Sequence, residues 1–128
     1  MESNSAKGGG GTGRRDILER SAAFCDRCIQ VALSLTQNGV CWEIARQLTR
    51  SSGSVGANIE EAQGTTSRND FAYRMSVALR EARETLFWLR RISNNGLLPS
   101  ERLTDLIAES DEIVAVLTAI VKNARGNP

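Results

Sequence analysis

The residues best equipped for chemistry are the cysteines: Cys25 and Cys28 form a C-x-x-C pair, with Cys41 nearby. A zinc site asks for four Cys or His ligands, and this 128-residue chain contains no histidine. A thioredoxin-type redox pair would need a βαβ setting that is missing. Both cysteines fall on or beside an apolar stripe, where free Cys packs as a small hydrophobe. An odd cysteine count with no secretory signal suggests reduced thiols in a cytoplasm. Carboxylates cluster at Glu60, Glu61, Glu81 and Glu84. Di-metal sites in four-helix bundles use Glu-x-x-His, which is not available here. Glu81 and Glu84 stand between Arg80 and Arg83, so a structural ion-pair network, within or between subunits, is the better reading. The missing histidine also removes Ser-His and Cys-His nucleophile pairs. No catalytic residue, metal or cofactor is therefore expected, and the chain reads as a non-enzyme.

The stretch Ser51-Ser52-Gly53-Ser54-Val55-Gly56-Ala57 is the oddest in the chain. By propensity alone it is a loop, since glycine and serine are poor helix interiors. Gly53-Ser54-Val55-Gly56 matches the GXXG of a KH domain, but a KH fold needs a sheet. A P-loop would need Gly-Lys-Ser or Gly-Lys-Thr after the glycines. The apolar phase from Leu48 through Val55 to Ile59 continues without a slip, which favours an unbroken helix whose small side chains let a neighbour approach closely.

A third constellation is cationic. The net charge of +1 argues against a uniformly polybasic nucleic-acid binder but leaves room for a local basic surface. Lys7 and Lys122 are the only lysines, and arginine favours bidentate pairing with carboxylates or phosphates. The segment near residue 80 carries Arg68, Arg74, Arg80, Arg83, Arg90 and Arg91 against Asp70, Glu81 and Glu84. Phe87 and Trp88 lie off its apolar stripe, among those arginines. Such aromatics suggest a protein interface first, the edge of the core second and a base-stacking platform third. Arg74, Arg80, Arg83, Arg90 and Arg91 are the candidate nucleic-acid contacts.

Helices must position these residues. Met1 to Gly13, with its run of four glycines, cannot bury apolar surface and is expected to be a disordered tail ahead of a domain over residues 14–125. Segment one runs from about Asp16 to Thr36, with a stripe of Leu18, Ala22, Cys25, Ile29, Ala32 and Leu35. Gln37-Asn38-Gly39 supplies a turn. Segment two, about Val40 to Gln63, carries Cys41, Ile44, Leu48, Ser52, Val55, Ile59 and Ala62. Gly64-Thr65-Thr66 breaks it, and Ser67 with Asp70 resembles a capping box. Segment three carries Phe71, Met75, Ala78, Ala82, Thr85, Leu89 and Ile92, and Asn94-Asn95-Gly96 closes it. Ser100 is expected to cap segment four, with Leu103, Leu106, Ser110, Ile113, Leu117, Ile120 and Ala124 inward. Nothing alternates with period two for long enough to be a strand. The expected fold is all-α, an antiparallel up-down-up-down four-helix bundle. No apolar run is long enough for a membrane span.

Two stretches also carry a family resemblance. Gln47-Leu48-Thr49-Arg50-Ser51-Ser52-Gly53-Ser54-Val55-Gly56-Ala57-Asn58-Ile59-Glu60-Glu61-Ala62 resembles the second-helix signature of the bacterial four-helix bundle family of 23S rRNA-intervening-sequence proteins. Ser76-Val77-Ala78-Leu79-Arg80-Glu81-Ala82-Arg83-Glu84-Thr85-Leu86-Phe87-Trp88-Leu89 is similar to its third-helix signature. The resemblance implies a left-handed antiparallel bundle with the Gly/Ser stretch helical, and a homo-oligomer, a ring of five. It implies no catalytic activity. The family is similar to the accessory variability determinant of diversity-generating retroelements, whose pentamer binds a reverse transcriptase and structured RNA, so these are the implied partners. Its motif positions fall here on Arg50, Ser54, Asn58, Glu61, Glu81, Glu84 and Trp88. Arg50, Asn58, Glu61, Glu81, Glu84, Phe87 and Trp88 are the expected oligomer interface.

Overall fold

The computed structural model describes residues 12–35 and 38–126. Four helices follow one another: α1 Thr12–Leu33, α2 Gly39–Ala62, α3 Arg68–Asn94 and α4 Thr104–Ala124, with a 3-10 turn at Ser100–Arg102 ahead of α4. Each packs on its sequence neighbours, and α1 also meets α4, so the chain closes into an up-down-up-down bundle. Among the described residues there is no strand, and no helix is long and apolar enough to cross a membrane. The disordered tail expected up to Gly13 falls mostly outside the described residues, but α1 is already helical at Thr12, ahead of the expected start at Asp16.

The turn chemistry explains where the helices stop and start. Asn38 does more than make a turn: its side-chain oxygen accepts from the Cys41 N–H at 3.0 Å and caps α2. Ser67 caps α3 in the same way, accepting from the Asp70 N–H at 3.0 Å. At the end of α3, Gly96 takes φ +65°, a left-handed turn that a side chain would resist. The Leu97 N–H then donates to the Ile92 carbonyl and the Gly96 N–H to that of Ser93, at 3.0 and 3.1 Å, which is a Schellman closure. Ser100 does not cap α4. It starts the 3-10 turn, and its carbonyl accepts from the Leu103 N–H at 3.0 Å while Leu103 opens the helix without a side-chain cap. Pro99, extended at ψ 132°, stands at the N-cap of this tighter turn, where its missing N–H costs no hydrogen bond.

The stripes of α2 and α3 bury as expected, with Leu48, Val55, Ile59, Met75, Leu89 and Ile92 wholly inside. In α1 the buried face is rotated by one residue from the expected one. Ile17, Ser21, Phe24, Cys28 and Val31 point inward, whereas Ala22 is exposed; at the far end Ala32 and Leu35 are buried as expected. Phe24 decides the phase, because it buries far more surface than Ala22 or Cys25 could. At the far end of α4, Val121 takes the core position expected of Ile120, which is only partly buried.

The Gly/Ser stretch is helix throughout. Ser51 and Ser52 are fully buried, and a Cβ on Gly56 would lie 3.9 Å from the Ser21 carbonyl, so α1 approaches here. Gly53 takes no part in that approach: a Cβ there would meet nothing within 4 Å.

Candidate functional site

Two surfaces on α3 hold nearly all the residues singled out above. The first is its seam with α2. Arg50 of α2 spans both carboxylates of α3, with Nη1 on Glu81 at 3.2 Å and Nη2 on Glu84. Trp88 donates its indole N–H at 3.0 Å to the same Glu84 oxygen, Oε2, that Arg50 holds. At the next residue of each helix, on the buried side of the seam, the hydroxyls of Ser51 and Thr85 are hydrogen bonded at 2.8 Å. Toward the other end of the seam, Arg74 reaches Glu61 at 3.3 Å and donates to the Asn58 side-chain oxygen at 3.3 Å. Asn58 in turn donates to the carbonyl and hydroxyl of Ser54 at 2.9 and 3.1 Å.

These contacts follow from antiparallel register, in which residues 50, 51 and 58 of α2 lie opposite 84, 85 and 74 of α3. Glu81 and Glu84 therefore turn to Arg50 across the seam, where Arg80 and Arg83 had been the expected neighbours. The pairing perturbs both partners. The Arg50 guanidinium is held more firmly protonated, chiefly by its hydrogen bond to Glu84. The Glu84 carboxyl is pushed below the usual carboxylate range by Arg50 first and by Trp88 second. Arg50, Ser54, Asn58, Glu61, Glu81, Glu84 and Trp88 thus share one seam and engage one another within the chain. Trp88 is half-buried and packs against the core, which is the core-edge position.

The second surface is the outer stripe of α3. Tyr73, Arg80, Arg83, Phe87 and Arg90 are exposed and recur at steps of seven, three, four and three, which stacks them on one helix face. Arg80, Arg83 and Arg90 have no carboxylate partner among the described residues. Phe87 is 47% exposed, with the Arg91 guanidinium 4.9 Å from its ring centre and Trp88 meeting it edge-on at 5.0 Å. Of the five expected nucleic-acid contacts, Arg80, Arg83 and Arg90 share the open stripe and Arg91 borders it over Phe87. Arg74 turns away into the seam.

The cysteines are core residues: Cys28 and Cys41 are buried and Cys25 half-buried, all three as free thiols. Burial first, and Cys25 second, push the Cys28 thiol up to about 12, far from a reactive thiolate at neutral pH. Among the described residues no cluster of His, Cys, Asp or Glu could hold a metal.

One surface escaped the sequence reading. Leu33, Val40 and Trp42 are 63%, 67% and 65% exposed where α1 ends and α2 begins, beside an apolar groove floored by Ala32 and Leu35. The available signal was Trp42 itself, one position off the stripe that runs through Cys41.

The sequence profile of 23S rRNA-intervening sequence proteins matches residues 14–119. A crystal structure of a protein with unknown function from the S23 ribosomal protein family of Bacteroides thetaiotaomicron VPI-5482 superposes with a TM-score of 0.78 at 30% identity, covering 86% of this chain and 98% of that one. No curated protein matches the chain. With a profile that spans most of its length and the bundle that goes with it, the chain belongs to the family of 23S rRNA-intervening sequence proteins.

Proposed function

We propose that the protein is a non-enzymatic, cytoplasmic homo-oligomer that binds structured RNA, or an RNA–protein assembly of the reverse-transcriptase accessory type, through the outer stripe of α3. The observation that carries this reading is the division of labour among the arginines. Arg50 and Arg74 are tied to carboxylates in the seam, whereas Arg80, Arg83 and Arg90 remain unpaired on one face with Phe87 between them. Unpaired guanidiniums at helical spacing suit phosphates, and an exposed ring beside them suits an unstacked base. The family's name and the ribosomal-protein family of its structural neighbour support the same reading. Copies join along the accessible rim of the α2–α3 seam, where Arg50, Asn58 and Glu61 reach the surface, in a ring of five.

A second reading, a protein-interaction scaffold without nucleic acid, is favoured by the exposed Leu33, Val40 and Trp42, since apolar patches of this kind mark protein partners. One experiment separates the two. Binding to a structured RNA is titrated with salt in the unaltered protein and in Arg80→Gln/Arg83→Gln. The logarithm of affinity should fall linearly with that of salt, and the double variant should lower the slope by roughly 1 to 2. Salt-insensitive or absent binding, together with a smaller mass by light scattering in Trp42→Ser, would leave the scaffold reading standing.

A further inference from the structure

Away from both surfaces of α3, the α1–α4 side of the bundle opens into a notch of about 210 Å³. Arg27 and Gln30 of α1 and Arg102 of the 3-10 turn form its rim, over a floor of Val31 and Leu106. No carboxylate lines it, and neither arginine has a carboxylate partner among the described residues. Arg102 is not loose: it donates to the Ser34 hydroxyl at 3.4 Å, and Ser34 donates to the Gln30 carbonyl at 3.1 Å, which holds the guanidinium over the last turn of α1. A cation there complements the negative end of the helix dipole, which accounts for Arg102. It does not account for Arg27, which stands more than a turn earlier on the same rim and shares the notch with a like charge and no carboxylate.

We propose that this notch is a phosphate site, with Arg27 and Arg102 closing on the anion from opposite walls and Gln30 adding an amide donor. Two guanidiniums supply more N–H donors than a carboxylate could accept, and a phosphate with three or four oxygens can use them in bidentate pairs. The apolar floor limits competing water on one side. The site is distinct from the α3 stripe and stands or falls independently of RNA binding there.

The test follows the arginine side-chain Nε–Hε signals of 15N-labelled protein while inorganic phosphate replaces chloride at constant ionic strength. Arg27 and Arg102 should shift together and saturate, while Arg80 and Arg83 stay still. Arg27→Gln and Arg102→Gln should each weaken phosphate binding roughly tenfold, the effect of losing a charged hydrogen-bond partner, and Arg80→Gln/Arg83→Gln should leave it unchanged. Both rim arginines are exposed, so circular dichroism should show the fold intact in every variant. Equal shifts in chloride, shifts spread evenly over all exposed arginines, or binding that survives either rim substitution would overturn the proposal. A 5′-phosphorylated dinucleotide and its 5′-hydroxyl counterpart identify the source. Tighter binding of the phosphorylated form than of inorganic phosphate assigns the notch to a nucleic-acid end, and equal binding assigns it to a free phosphate.

Discussion

The bundle has two unlike sides. Where α2 meets α3, polar groups are threaded through the contact from rim to core: Arg50 with Glu81 and Glu84, Trp88 on Glu84, Ser51 on Thr85, and Arg74 on Asn58 and Glu61. Where α1 meets α4, one bidentate pair holds the rim, Arg20 on Glu109 at 2.8 and 3.0 Å, and beyond it the helices part around the Arg27–Arg102 notch. α4 also carries Ser110, whose hydroxyl is buried without a hydrogen-bond partner among the described residues. The contrast teaches that a run of charged and hydroxyl residues on a helix is no sign of an outward-facing surface. On the α2–α3 side those residues fix the register of two helices, and the charges left over on the outer stripe of α3 and around the notch are the ones free to meet a ligand.

Substitutions that strike the stitched side hardest should have the largest effects. Ser51→Leu forces a larger side chain into a fully buried site and breaks the bond to Thr85. It should cost about 2 to 3 kcal/mol in urea denaturation, and an unchanged midpoint would mean that α2 and α3 are less tightly stitched than their geometry indicates. Arg50→Ala should cost about 1 kcal/mol, because the side chain is about half exposed and the pair is screened by water.

The pH dependence of that loss has a definite sign. Glu84 has its carboxyl lowered in the folded state, so its contribution is present above the ordinary carboxylate range and disappears as pH falls through the folded value. Arg50→Ala should therefore flatten the acid limb of the stability profile, while Arg20→Ala on the other side leaves the Glu84 contribution in place. Ser110→Ala should act in the opposite direction to Ser51→Leu. Removing an unpartnered buried hydroxyl should leave stability unchanged or raise it by up to about 1 kcal/mol, read as a shift in urea midpoint, and a clear loss would reveal a partner for that hydroxyl.

Much of this was legible in the residues. The stripes of segments two and three buried as expected, because each has a single apolar phase with no competing neighbour. The Ser67 cap and the glycine closure at Gly96 were legible too, since both are local hydrogen-bond arrangements within a few residues. Segment one was misread by one position. Ile17 and Leu18 are both apolar and Ser21 occupies a core position, so its periodicity allows two phases, and only packing against α2 and α4 selects the one led by Phe24. The four arginines on or beside the open face were named, but Arg74 was grouped with them because linear spacing cannot reveal a partner sixteen residues away.

Composition and period by themselves determined that this chain is a four-helix bundle without histidine chemistry. Those properties depend on residue types and on the 3.6-residue repeat, which act within a turn or two of the backbone. Tertiary structure decided which charges are spent and which are free. An arginine's partner depends on the register between helices, and register is set only when the apolar stripes dock. That docking turned Arg50 and Arg74 across the α2–α3 seam to carboxylates. It left Arg80, Arg83 and Arg90 in the open and brought Arg27 to face Arg102 across a gap of 75 residues in sequence.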